Sequence, residues 1–313
     1  MFDTLLRIRL FVAVYEERSF TGAATREHAT QSGVTQHMQK LEDHLGVKLF
    51  VRGSGNVTPT PAGDLYYEGC LNVLRTHALA RMSVKAYSQG LAGEVRVGLT
   101  PTITRAVLAP TLSRFVSDNP NVVIRVTDAY SDIVVAKVMA GELDFGVVPG
   151  ARPEVGLNSE PFARTPEFLV SGARAGHKLV HGKPVRLADL GPIKLVVPSQ
   201  AQARRATLDA YLATVGAVVE RKLELDSSLG AFDFVAESDW FSIHPGIMML
   251  REMDRGDFIV NPLVSPSLTL DLFRIERASE PLSPAGLAFL QVLEEQTTRM
   301  AAQATSLTEQ AQS

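Results

Sequence analysis

Residues 19–45, SFTGAATREHATQSGVTQHMQKLEDHL, constrain this chain more than any other stretch. Ser19 is a candidate helix N-cap, because its hydroxyl can accept from a free backbone N–H in the first turn. The helix it opens carries Ala23 and Ala24, small enough for a second helix to pack closely. Thr30 is a second candidate cap. After it, Val34, Met38, Leu41 and Leu45 recur at spacings of four, three and four, which is one face of a helix. The opposite face carries Gln31, Ser32, Thr35, Gln36 and Gln39, polar and uncharged. Such side chains read base edges in a major groove, Gln suiting adenine and Ser or Thr several bases. Two short helices, the second with a polar face at its N-terminal end, describe a helix-turn-helix. On this pattern alone an ordinary surface hairpin of helices is about as good an account, so the flanks decide.

Downstream runs GVKLFVRGSGNVTPTPAG. Gly46 is placed to end the second helix in the left-handed conformation that glycine tolerates. Val47 to Thr58 reads as a β-hairpin wing, with Arg52 near its tip to meet a phosphate or the minor groove. Ahead, residues 4–17 make an amphipathic first helix with Leu6, Leu10, Phe11 and Val14 inward. Taken together, Ser19-Phe20, Ala23-Ala24, Gln31-Ser32, Val34, Leu41-Glu42, Leu45-Gly46, Leu49-Phe50, Arg52, Thr60 and Gly63 resemble the N-terminal domain of LysR-type transcriptional regulators, and the chain length is similar to that family's. The candidate DNA-binding residues are Ser19, Gln31, Ser32, Thr35, Gln36, Gln39 and Arg52. Three positions depart from the family pattern. Gln36 stands where a basic residue is frequent, His28 where leucine is common, and Pro59 in a usually aliphatic place. The operator therefore need not resemble the family's usual one.

Charge supports a local DNA surface only. The chain has 31 basic and 34 acidic residues, −3 overall. Its first sixty residues hold Arg7, Arg9, Arg18, Arg26, Lys40, Lys48 and Arg52 against six acids. Dimerisation and helix N-termini would have to supplement that small excess. The single cysteine, Cys70, excludes an intramolecular disulfide framework and reads as a half-buried helix residue rather than a redox sensor. No apolar run approaches ~18 residues, and the N-terminus lacks a cleavage site. The expectation is a bacterial cytoplasmic protein with no membrane partner.

Pro61 suits the first turn of a long helix reaching about Ser88. Tyr67, Leu71, Leu74, Ala78 and Met82 form a narrow stripe on it, suited to pairing with a partner helix. Gln89 to Gly93 is a hinge. From Glu94 strands and helices alternate, which argues a parallel α/β sheet. The strands are 95–99, 122–126, 143–148, 168–172, 194–198, 223–226, 240–244 and 268–275. A helix runs from Ser283 to about Met300, and a polar tail frays. That is more units than one small sheet needs, so two lobes fit better. The resemblance implies that the chain crosses between the lobes twice, like a periplasmic binding protein. The domains are then a winged helix-turn-helix at 1–60, a linker and dimerisation helix at 61–92, lobe one at 93–164 and 266–302, lobe two at 165–265, and a flexible tail at 303–313.

Open α/β sheets bind ligands beyond the C-terminal ends of their strands. That rule selects Thr100-Pro101-Thr102, Tyr130-Ser131, Ser199-Gln200, Ser227-Ser228 and the segment from Phe241 to His244. Singly, such hydroxyls more often cap helices. Their concentration at successive strand ends, with no Lys or Arg in the first four loops, favours a small anion held by neutral donors. The resemblance implies an inducer's acid group against Thr100, Thr102 and Ser131, with lobe two closing through Ser199. The candidate effector-binding residues are Thr100, Thr102, Ser131, Ser199, Gln200, Ser227 and Phe241. Tyr130 with Phe241 would admit an aromatic acid. Arg204-Arg205 reads as cleft-lining or as a solvated helix face, and His244 as a satisfied core histidine.

No G-x-S-x-G, P-loop, G-x-G-x-x-G or H-E-x-x-H occurs, and the seven histidines are scattered. No enzyme activity, metal or cofactor is expected. The reading is a sequence-specific transcriptional regulator that binds duplex operator DNA and a small carboxylate effector. The resemblance adds a homotetrameric dimer of dimers and, if it activates, contact with RNA polymerase. A solute-binding protein with a helical adaptor and an α/β enzyme with an N-terminal regulatory domain are the alternatives.

Overall fold

The inward residues of the first helix are covered almost completely: Leu10, Phe11 and Val14 are buried on α1 (Thr4–Glu17). The cover comes from α2 (Phe20–Arg26), α3 (Gln31–Leu45) and the start of α4 (Pro61–Gln89). The computed structural model describes residues 4–52, 57–89, 91–150, 154–200, 202–253 and 255–310. It divides into two units. One is Met1–Gly90 with Glu154–Leu157 and Arg277–Pro281; the other is the remainder.

In the first unit both expected caps form. Ser19 accepts from the Gly22 N–H and Thr30 from the Gly33 N–H, each at 3.1 Å. Between these helices His28 sits at φ 52°, in the left-handed region that histidine visits more readily than most residues. Gly46 ends α3 at φ 71°. The wing strands β1 (Phe50–Arg52) and β2 (Val57–Pro59) pair antiparallel, Phe50 opposite Pro59. Residues 53–56 and the Arg52 side chain, expected at the tip, lie outside the described residues. Helix α4 packs so tightly here that a Cβ on Gly63 would stand 2.3 Å from the Leu49 carbonyl oxygen. The first three residues of the α4 stripe face their own chain rather than a partner helix. Tyr67 and Cys70 are buried in this unit's own core, with Leu71 and Leu74 packed against it. A different face of α4 leaves Leu65, Val73 and Val84 exposed.

The second unit begins with β3 (Gly93–Leu99), followed by one helical run made of α5 (Pro101–Ile103), a π turn (Thr104–Leu108) and α6 (Ala109–Asp118). Pro110 has no N–H to return to the carbonyl one turn earlier, and the helix widens just before it. Then come β4 (Val122–Asp128), α7 (Ser131–Met139), β5 (Phe145–Pro149) and the long β6 (Leu157–Gly172). After it follow β7 (Ile193–Val197), α8 (Ala203–Thr214), β8 (Val219–Glu224), α9 (Ser228–Ala236), β9 (Phe241–Pro245), α10 (Gly246–Met249) and β10 (Phe258–Pro262). β11 (Thr269–Arg277) and α11 (Pro284–Gln310) close the chain.

The strand order is β4-β3-β5-β11-β6-β9-β7-β8, with β10 paired to β6. β3, β4 and β5 are parallel, as are β7, β8 and β9; β11 and β6 run against their neighbours β5 and β9. β6 links the two halves, joining β11 in one and β9 and β10 in the other. One strand, β10, and the N-terminal part of β6 were not expected from sequence. β10 is a short run, and the part of β6 ahead of Phe168 contains Pro161 and Pro166. The fraying tail expected at 303–313 is instead helical to Gln310, with Ala304 and Thr308 buried.

Candidate DNA-reading surface and effector cleft

The apolar stripe of α3 (Val34, Met38 and Leu41) is buried, and this turns the opposite face outward. Gln31, Ser32, Gln36 and Gln39 are exposed and Thr35 half-buried. The sequence-predicted reading residues thus share one face of one rigid helix. Ser19 differs from them: its oxygen is engaged in capping. The helix is held by a residue that the motif contains but periodicity did not single out. Glu42, only 5% exposed, accepts from the Leu49 and Phe50 N–H groups at 2.9 and 3.2 Å and from Lys48 Nζ at 2.7 Å. Burial works to raise its carboxyl, but these three bonds win and hold it below the ordinary range. The C-terminal end of α3 is thereby fastened to the wing.

In the second unit the candidate hydroxyls do different things. Thr100 ends β3 and precedes α5, yet makes no side-chain cap bond; its Oγ1 is buried, 4% exposed as a residue, with no hydrogen-bond partner. Thr102, two residues on, is half-buried. Ser131 opens α7 one strand over, where the Ala129 N–H bonds the Leu99 carbonyl at 3.1 Å and sets the two strand ends side by side. Ser227, by contrast, caps α9 by accepting from the Gly230 N–H at 3.1 Å. Gln200 is exposed, and Ser199 donates its backbone N–H to Asp226 at 2.9 Å. Asp226 also accepts from Gln202 Nε2 at 2.5 Å. The Ser199 backbone first, then the Ser199 and Gln202 side chains, keep this carboxyl below its ordinary range. Tyr130, from the other lobe, meets the Gln202 side chain. Burial, then the charges of Asp226 and Asp128, raise its phenol. Asp226 was not anticipated, because its role depends on two loops distant in sequence.

Phe241 does not belong with these residues. Alternation along β9 sends Phe241 and Ile243 into the core beneath α8, where Phe241 stacks on His177 at 4.2 Å. The opposite face carries His244, stacked on Phe232 at 4.4 Å. Burial, then Arg204 and Arg105, push His244 down to about 3, so it stays neutral. Arg204 and Arg205 are neither free cleft cations nor solvated. Arg204 forks onto Glu167 at 2.8 and 2.5 Å; Arg205 pairs with Asp209 and Glu224, both at 2.8 Å. Arg105 is paired too, with Glu252 at 2.5 Å, its guanidinium 4.7 Å from the Phe232 ring centre. Cys70 lies in the first unit, and burial pushes its thiol up to about 11, which makes it a poor nucleophile. Among the described residues no cluster could hold a metal ion, and no helix is long and apolar enough to cross a membrane.

A winged helix-turn-helix unit followed by a two-lobed α/β sensor defines a ligand-responsive transcriptional regulator. Residues 5–64 match the bacterial regulatory helix-turn-helix protein, lysR family, and residues 88–298 match the LysR substrate binding domain. The chain belongs to the LysR family of DNA-binding transcriptional regulators, proteins that act by binding and not as enzymes. It is 27% identical to the nitrogen assimilation regulatory protein nac of Klebsiella aerogenes, over 92% of this chain and 93% of that one. Its fold is similar to a hydrogen peroxide-bound OxyR mutant of Corynebacterium glutamicum (TM-score 0.59, 20% identity, 97% of each chain). It is also similar to full-length CbnR complexed with its target DNA (TM-score 0.54, 22% identity, 95% of this chain and 100% of that one).

Proposed function

We propose that this regulator responds to a small organic acid held at Thr100, Thr102 and Ser131, with lobe two closing through the Ser199–Gln202 loop. The observation that carries the reading is the Thr100 hydroxyl, buried at a helix start and bonded to nothing in the chain. A buried polar group without a partner costs about 1–3 kcal/mol, which a ligand acceptor would recover. A peroxide switch built on an intrachain disulfide is unsupported, since Cys70 is the one cysteine in these 313 residues. On the DNA side, Gln31, Ser32, Thr35, Gln36 and Gln39 read bases and Arg52 meets the backbone. The exposed α4 face of Leu65, Val73 and Val84 joins two chains, and two such dimers sit on a dyad operator in the bacterial cytoplasm. If the regulator activates, RNA polymerase is its further partner. The effector shifts the population between lobe arrangements and so the spacing of the DNA units.

A thermal-shift screen of organic acids tests the sensor half. Binders raise Tm in the wild type and lose the effect in Thr100→Val; an undiminished shift in that variant removes the site. For DNA, Gln31→Ala is expected to relax discrimination at one base position by roughly 1–3 kcal/mol. Equal loss on specific and random duplexes would end its base-reading role.

A further inference from the structure

The two sides of the cleft differ in charge, and the difference narrows the effector class. On the lobe-one side the Thr100 hydroxyl is buried and unbonded, at the end of β3. On the lobe-two side the place where loop N–H groups would receive an anion is already taken by the chain's own Asp226, through Ser199 N at 2.9 Å and Gln202 Nε2 at 2.5 Å. Both bonds end on Oδ1, and the residue stays exposed. The Tyr130 hydroxyl reaches the same loop from lobe one. The three arginines described above are all paired with carboxylates, so none is free to balance the Asp226 charge.

A second anionic group reaching lobe two would meet Asp226 at close range and be repelled. A cation there would be attracted by the Asp226 carboxylate and could be bonded by the Tyr130 oxygen. Resting on the acid-cleft reading above, we propose that the effector is a two-ended, amino-acid-like molecule. Its carboxylate lies at Thr100 and its ammonium group against Asp226 and Tyr130. The chain's own carboxylate thus selects against dicarboxylates.

The test uses the full chain and three matched series, read by thermal shift and calorimetry. The first is β-alanine, γ-aminobutyrate and 5-aminovalerate; the second is succinate, glutarate and adipate; the third is propionate, butyrate and valerate. The amino series is expected to bind and the diacids not. In Asp226→Asn the amino series weakens about tenfold, the size of one charge-assisted bond, and the diacids gain. Tyr130→Phe, which leaves the Asp226 loop intact, weakens the amino series without helping the diacids. Diacids binding the wild type as tightly as their amino counterparts would overturn the proposal, as would an order of preference unchanged in both variants. If simple acids or diacids bind and Thr100→Val abolishes this, the acid cleft stands and the amino-end reading alone falls. If no series binds the wild type, both fall together.

Discussion

The two lobes of the sensor treat their helix starts in opposite ways. At its helix starts lobe two spends the polar groups on itself: Ser227 caps α9, Asp226 fills the loop before α8, and Arg204 is consumed by Glu167. Lobe one leaves Thr100 buried and unbonded. The lesson is that similar hydroxyls at similar strand ends are not similar sites. A satisfied hydroxyl stabilises the fold, whereas an unsatisfied one is a standing cost that only something outside the chain can remove.

Breaking lobe two should cost most. Glu167→Ala leaves Arg204 buried without its partner, and a loss of about 3–5 kcal/mol is expected in denaturant unfolding of the sensor transition. A loss under about 1 kcal/mol would mean that the pair is not what holds α8 to the sheet.

Acid should strike the same lobe next. His244 is kept neutral with a folded value of about 3, while the unfolded imidazole binds a proton below about 6.5. The unfolded state therefore holds more protons as pH falls through that window, and stability drops with it, by about 2 kcal/mol at pH 5. His244→Gln should flatten this slope; an unchanged slope assigns the acid sensitivity elsewhere. Glu42 acts in the same direction further down the scale. Its lowered carboxyl stabilises the reading unit above the ordinary carboxylate range and ceases to do so as pH falls through its folded value.

The smallest effect sharpens the comparison most directly. Ser227→Ala loses a working cap and should cost about 1 kcal/mol. Thr100→Val removes a hydroxyl that bonds nothing, so unliganded stability should hold or rise. If both variants lose the same stability by calorimetry, the asymmetry between the lobes is wrong.

Much of the reading unit was legible in the sequence because its signals are local. The caps at Ser19 and Thr30, the Gly46 stop and the period of Val34, Met38 and Leu41 each act within a few residues. The α4 stripe was half legible: periodicity located Tyr67, Leu71 and Leu74 on one face but could not say whether that face meets this chain or another. In the sensor, strands with clear alternation were found. β8, polar and largely exposed at the sheet edge, had its start displaced by four residues, from Val219 to 223. Phe241 was misplaced twice over: it is the first residue of β9 rather than at its C-terminal end, and alternation along the strand turns its side chain into the core.

The amino-acid sequence by itself determined the family, the helix-turn-helix with its outward polar face, and the alternation that makes an α/β sensor. Each is encoded in short-range spacing. Tertiary structure alone decided which polar groups are spent and which remain. Whether a hydroxyl, an arginine or a carboxylate is free depends on partners 20 to 150 residues away, as with Arg204 and Glu167, Ser199 and Asp226, or Arg105 and Glu252. Those distances close only when the sheet assembles, and no spacing rule within one element can foresee them.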